Sequence, residues 1–242
     1  MDSFKHGAPS DCVFIHGAGG NNLLWKRSLQ FLSGPGSAFA VNLPGHPSGE
    51  VACRTVEEYA DAVSGFVSEN GLERVAVCGH SMGSAIALTM AVRNPDAVAG
   101  LILVDGGAKL GVSPSILEGL SNQPLKAIES MITPMSFHSV TLEMGREART
   151  ALSLANLDVF LNDYRACNGF DVRGRLREIS APCLVICGED DRMTPPKYSQ
   201  YLNAHIPGSS LSLIPEAGHM VPLEKPAALG RLVQGFLSGL SQ

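Results

Sequence analysis

Short apolar runs alternate with longer amphipathic stretches along most of the chain. Six runs are apolar at nearly every position: Cys12–Ile15, Ala38–Val41, Val75–Cys78, Leu101–Val104, Cys183–Cys187 and Leu211–Ile214. A strand with one wet face alternates apolar and polar residues, so unbroken runs predict strands covered by helices on both faces. Between them, Thr55–Asn70, Met82–Arg93, Pro196–Ala204 and Lys225–Leu237 have helical length. Thr55 and Glu58 stand three residues apart, as in a capping box, and Asn70-Gly71 stops that helix. Asn94-Pro95 ends the next. Strand and helix in alternation predict an α/β fold with a mostly parallel, doubly wound sheet. The segment 1–11 is short and polar, so any antiparallel hairpin at the sheet's start is expected to be truncated or absent.

One interval breaks the rhythm. The strand ending near Asp105 and the next, starting at Cys183, are separated by residues 106–182. An ordinary crossover takes roughly 20 to 25 residues, which leaves about 50 in surplus. They are rich in Leu, Met, Ile and Phe, and Pro114, Pro124 and Pro134 divide them into short helices. So apolar a stretch is no linker; it predicts a helical cap at 106–182, inserted into a core made of 1–105 and 183–242. Leu117, Met131, Met135, Phe137, Leu157 and Phe160 either line an apolar pocket there or pack the cap, and packing is the default role.

Composition narrows the partners. With 45% hydrophobic and 17% charged residues, the 242-residue chain can bury a large core. A net charge of -5 argues against nucleic acid. Arg173, Arg175 and Arg177 are flanked by Asp171 and Glu178 and read as a solvated face. No apolar run reaches the roughly 18 residues of a membrane span, and the N-terminus lacks the apolar stretch of a signal peptide. The six cysteines form no Cys-x-x-Cys pair and no zinc-spaced cluster. They read as small buried hydrophobes in a reducing compartment, so the expected location is the cytoplasm.

The sharpest chemical signal is Gly79-His80-Ser81-Met82-Gly83, between a buried strand and a helix. Gly-x-Ser-x-Gly in that setting is a nucleophile elbow. It places Ser81 on a tight strand-to-helix turn, and the helix N-terminus offers free N–H groups to an anion. Directly after the first apolar run comes His16-Gly17-Ala18-Gly19-Gly20. Its small residues allow close backbone approach, so the N–H groups of Ala18 and Met82 are candidate oxyanion donors. A phosphate-binding reading fails, because neither glycine-rich phosphate motif is present. Of seven histidines, His219 follows a late strand and so reaches the same sheet edge as Ser81. It is the candidate base. Asp105, Glu189, Asp190 and Asp191 all stand at strand ends, and spacing alone leaves the acid open among them.

The stretches HGAGG, NLPGHP, GHSMGS, GEDDRMTP and AGHMVPLEKP, together spanning most of residues 12–238, resemble the α/β-hydrolase superfamily, in particular its capped esterase, lactonase and carbon–carbon hydrolase branch. Two departures stand out: Asn42 and Pro47 around Leu43-Pro44-Gly45-His46, and Ser84 after the elbow. The resemblance implies that Gly188…Asp191…Pro195 marks the acid, hence Asp191, although some relatives place it after the preceding strand, here Asp105. It also implies a Ser81–His219–Asp191 triad that needs no metal or cofactor. A serine nucleophile disfavours the aspartate chemistry of dehalogenases and epoxide hydrolases. The expected activity is hydrolysis of a small-molecule carboxylic ester. The alternatives are carbon–carbon cleavage or lyase chemistry by the same triad, and a ligand receptor on this fold with little turnover. An acyl-carrier-protein partner lacks a docking patch, because the arginines of 106–182 are balanced by acids.

Overall fold

In the computed structural model, which describes residues 1–141, 144, 146 and 155–240, seven strands form one sheet. Part of the 106–182 segment therefore lies outside the described residues. The strands are β1 (Ser3–Ala8), β2 (Cys12–Ile15), β3 (Gly36–Val41), β4 (Val75–His80), β5 (Val98–Val104), β6 (Cys183–Gly188) and β7 (Ser210–Ile214). Their order across the sheet is β1-β3-β2-β4-β5-β6-β7. All neighbouring pairs are parallel except β1 with β3.

The period-2 geometry of a strand divides the core in two. Val13, Ile15, Val75, Val77, Leu101, Leu103 and Val185 face the helices Val56–Glu69, Met82–Arg93 and Pro196–His205. Their alternates Phe14, Ala76, Cys78, Ile102, Val104, Leu184 and Ile186 face the other side, against Trp25, Leu29 and the helix Pro226–Leu240. Each fully buried Leu or Ile contributes about 1.5–3 kcal/mol, so these two layers dominate the stability of the fold. The helix Met82–Arg93 is buried along its whole length short of Arg93, which fixes its N-terminus against β4. On Val56–Glu69 the N-cap half of the expected capping box forms, with Thr55 Oγ1 accepting from the Glu58 N–H at 3.2 Å, while the Glu58 carboxylate reaches past the cap to accept from the Arg54 N–H at 2.6 Å.

Two strands differ from the sequence expectations. The polar N-terminus does pair: β1 lies antiparallel to β3, from Ser3 opposite Val41 to Ala8 opposite Gly36. The hairpin is thus reduced to a single edge strand, whose alternating exposure hid it among polar residues. The run Leu211–Ile214, read as covered on both faces, belongs to edge strand β7, with Leu213 37% exposed. An edge strand has one uncovered flank, so its apolar run marks a half-buried position.

Between β5 and β6 the chain leaves and rejoins the sheet at a narrow neck. Lys109 and Asp171 form an isolated antiparallel bridge, and the Val172 N–H donates to the Ala108 carbonyl at 2.8 Å. The helices Pro114–Asn122 and Leu157–Gly169 enclose a third apolar cluster of Ile116, Leu120, Ile128, Ile132, Phe160 and Tyr164. Ala18 and Met193, from loops at the carboxyl edge of the sheet, pack against it. Arg173 and Arg175 sit exposed, paired with Asp171 and Glu178, the solvated face anticipated above.

Deleting residues 1–8 should uncover the β3 edge, lower the urea midpoint and promote self-association. Light scattering and a denaturation curve check this; an unchanged midpoint in a monodisperse protein would show that β1 adds nothing.

Candidate active site

Every loop singled out from the sequence emerges at the carboxyl ends of the parallel strands. Ser81 follows β4 with φ 53° and ψ −116°, a conformation costly for any residue with a Cβ. Its N–H donates to the Val104 carbonyl at 2.9 Å. The elbow closes only because its glycines lack side chains: a Cβ on Gly79 would run into the Gly83 carbonyl, and one on Gly83 into the Ile15 carbonyl.

Ser81, His219 and Asp191 lie on one hydrogen-bonded line. Ser81 Oγ is 2.9 Å from His219 Nε2, and His219 Nδ1 is 2.9 Å from Asp191 Oδ2. The other Asp191 oxygen accepts from the backbone N–H groups of Met193 at 2.8 Å and Thr194 at 2.9 Å. Burial raises the Asp191 pKa, but the His219 charge, its hydrogen bond and those from Thr194 outweigh it, so the carboxyl ends below its ordinary value. Asp191 therefore stays ionised. The N–H groups of Ala18 and Met82 have no protein acceptor among the described residues.

The other acids separate cleanly. Asp190 turns outward, 45% exposed, and pairs with His138 at 2.8 Å. Asp105 does not meet the imidazole. Fully buried at the end of β5, it accepts the Gly188 N–H at 2.9 Å. Burial and the neighbouring Asp191 charge raise its pKa well above the ordinary carboxyl value. His80 lies 3.9 Å away, but burial lowers its pKa to about 3. This contact is therefore no ion pair: His80 is neutral, and burial disfavours the charged form of Asp105. Neutral His80 donates from Nε2 to the His219 carbonyl at 2.8 Å and braces the loop that carries His219.

Burial likewise keeps His16 neutral. Its Nε2 accepts the Leu43 N–H at 3.1 Å, so the Nδ1–H donates to the Gly17 carbonyl at 2.8 Å. Sequence reasoning missed two polar residues that support the site. Thr194 Oγ1 lies 2.8 Å from both Asp191 Oδ2 and the Asp105 carbonyl, and its signal was its place between Asp191 and Pro195. Glu224 accepts from the Gly218 N–H at 2.7 Å and from the His138 N–H at 2.9 Å. Asp105, Cys187 and Asp191 converge closely enough to hold a cation. However, the raised pKa values of Asp105 and Cys187 favour their protonated forms, which does not suit metal ligation.

Comparison with known proteins places this arrangement. The model of the alpha/beta hydrolase family matches residues 12–232, and the chain belongs to that family. The chain is 30% identical to 2-hydroxy-6-oxononadienedioate/2-hydroxy-6-oxononatrienedioate hydrolase 2 of Pseudomonas putida, over 93% of this chain and 86% of that protein. It is 27% identical to pimeloyl-[acyl-carrier protein] methyl ester esterase of Neisseria meningitidis, over 93% of each. A solved thermophilic esterase superposes with a TM-score of 0.87 at 35% identity, over 98% of this chain and 93% of that one. The chain is thus a hydrolase of the α/β type. No helix among the described residues is long and apolar enough to cross a membrane.

Asp105 yields a prediction with a definite sign. A carboxyl whose pKa is raised on folding stabilises the folded state fully below its unfolded value, near 3.9, and progressively less as pH rises towards the folded value. Asp105→Asn, which cannot ionise, should therefore raise the melting temperature relative to the parent at pH 8, with the gap closing by pH 4. A melting-temperature difference independent of pH would show that Asp105 is ionised in the fold.

Proposed function

We propose that the chain hydrolyses uncharged carboxylic esters through an acyl-enzyme on Ser81. The observation that carries this reading is the line Ser81–His219–Asp191, with both contacts at 2.9 Å and the serine on a strained turn. In the first step Ser81 Oγ attacks the ester carbonyl and its proton passes to His219 Nε2. Asp191 holds the Nδ1–H and balances the imidazolium. The oxyanion is received by the N–H groups of Ala18 and Met82. Collapse expels the alcohol, which takes the proton back from His219. Water then attacks the acyl carbonyl, His219 again accepts the proton, and the acid leaves with Ser81 restored. No step calls for a metal or cofactor.

Residues 106–182 act as the cap. In support, the apolar cluster around Ile116, Ile128, Ile132 and Phe160 abuts Ala18 on one side and Met193 on the other. An apolar cluster packed against Ala18 suits an apolar acyl or alcohol group. The Pseudomonas relative is named for a dienedioate, a dianion. Among the described residues no Lys or Arg is buried to neutralise two carboxylates, which favours a neutral ester over that carbon–carbon substrate. The six cysteines are buried and unpaired, in keeping with a reducing compartment such as the cytoplasm.

Ser81→Ala should lower kcat by about 10⁴ to 10⁶, and a phosphonate should label the parent once, at Ser81. Label on another serine, or full activity without Ser81, would end this reading. Multiple turnover of p-nitrophenyl esters separates a hydrolase from a receptor that binds without turnover. Asp191→Asn should cost about two to four orders of magnitude in kcat by favouring the wrong imidazole tautomer, whereas Asp190→Asn should cost less than about tenfold. Steady-state kinetics on one short-chain ester decide it; a crippled Asp190→Asn beside an active Asp191→Asn would reassign the acid.

A further inference from the structure

Asp163 is fully buried on the helix Leu157–Gly169, and no step above uses it. A buried carboxylate is costly unless donors surround it, and here three do. Its Oδ2 accepts from the Gly19 N–H and from His46 Nε2, each at 2.8 Å, and its Oδ1 accepts from the Tyr59 hydroxyl at 2.7 Å. The same helical face carries Phe160, whose ring fills the space that a side chain on Gly19 would need. Gly19 has φ +64°, so the residue is a glycine on both counts. The helix thus grips Gly19 by its N–H and by its bare Cα.

Gly19 adjoins the oxyanion donor. In a trans peptide the C=O and N–H point in opposite directions, so fixing one fixes the other. The plane carrying the Ala18 N–H is set at its other end, where the Gly17 carbonyl accepts from His16 Nδ1 at 2.8 Å and from the Gly20 N–H at 3.1 Å. The plane on the far side of Ala18 ends in the Gly19 N–H, which Asp163 holds. The two contacts together leave the Ala18 backbone little freedom to turn. His46, held by the same carboxylate, packs its ring 4.8 Å from that of His16.

We propose that Asp163 is a positioning residue for oxyanion stabilisation: by holding the Gly19 N–H, its carboxylate fixes the second of the two peptide planes that meet at Ala18 and so keeps the Ala18 N–H, aimed through the Gly17 carbonyl, from turning away. This rests on the reading of Ser81 as nucleophile and extends it to a residue of the inserted helices.

The test uses the full chain with three variants, assayed on a short p-nitrophenyl ester and with a trifluoromethyl ketone that forms a hemiketal oxyanion on serine. Losing an oxyanion donor outright costs about 10² to 10³ in kcat, so loosening one by Asp163→Ala should cost about 10- to 100-fold. KM should change by less than about threefold, and ketone affinity should fall in step with kcat. Asp163→Asn should recover to within about fivefold, because its oxygen can accept from Gly19 and His46 while its N–H₂ donates to the Tyr59 oxygen. Tyr59→Phe leaves the Gly19 bond in place and should stay within about threefold of the parent. The proposal is overturned if Asp163→Ala keeps its kcat, if its loss lies in KM alone, or if Tyr59→Phe loses as much kcat at a similar melting temperature. Should Asp163→Ala fail to fold, hydrogen exchange on the parent decides: Gly19 should be protected about 100-fold or more, and unprotected exchange would overturn the proposal. Phosphonate labelling of the parent runs alongside. A missing Ser81 label sinks the nucleophile reading and this one with it; a label with Asp163→Ala unimpaired sinks only this one.

Discussion

The site depends on a backbone conformation that its own residue resists. Ser81 at φ 53° and ψ −116° costs on the order of 1–3 kcal/mol locally, and the surroundings must impose it. They do so from three sides. The Ser81 N–H is tied to the end of β5. The helix that follows is buried almost end to end and cannot shift to relieve the turn. Gly79 and Gly83 let the strand, the helix and the end of β2 meet where no Cβ would fit. Within a close-packed interior, relaxing Ser81 would mean moving a helix, which costs far more than the turn.

Electrostatics impose a second economy. Asp105, Asp191, His80 and His219 crowd together below the elbow, where like charges could not coexist at reasonable cost. The negative charge is favoured on Asp191, which receives two backbone N–H groups and the imidazole. Burial disfavours the carboxylate form of Asp105 and keeps His80 neutral, so both brace the surrounding loops without adding charge. That division explains why one strand-end aspartate can partner His219 while another, equally buried, cannot.

These features were unevenly legible in the sequence. The inner strands announced themselves because both faces are covered, and the elbow because Gly-x-Ser-x-Gly stood between a strand and a helix. Edge strands β1 and β7 misled in opposite ways, since half-covered positions tolerate both polar alternation and apolar runs. His219 was found by its place after a late strand, yet Asp191 could not be separated from Asp190 or Asp105 by spacing, because burial and side-chain direction distinguish them. Asp163 left a fainter trace. It is an acid between Phe160 and Cys167 on the apolar face of a helix, where a charge is expensive without partners, and its partners lie in three separate segments.

The segment between β5 and β6 also contacts the loops of Ala18 and His219 at two separate points. At one, Asp163 and Phe160 hold the loop that carries Ala18. At the other, the Met220 N–H donates to the Ser136 carbonyl at 3.0 Å, and Glu224 bridges Gly218 to His138 beside His219. A segment bonded only to the rim could be exchanged with little effect on Ser81. This one is bonded to the residues flanking both Ala18, the proposed oxyanion donor, and His219, so any motion that opens this region must leave those anchors in place or break them and rebuild them. The first course fits the buried, fully bonded Asp163 better than the second, because separating its carboxylate from three donors would strand a charge in an apolar setting.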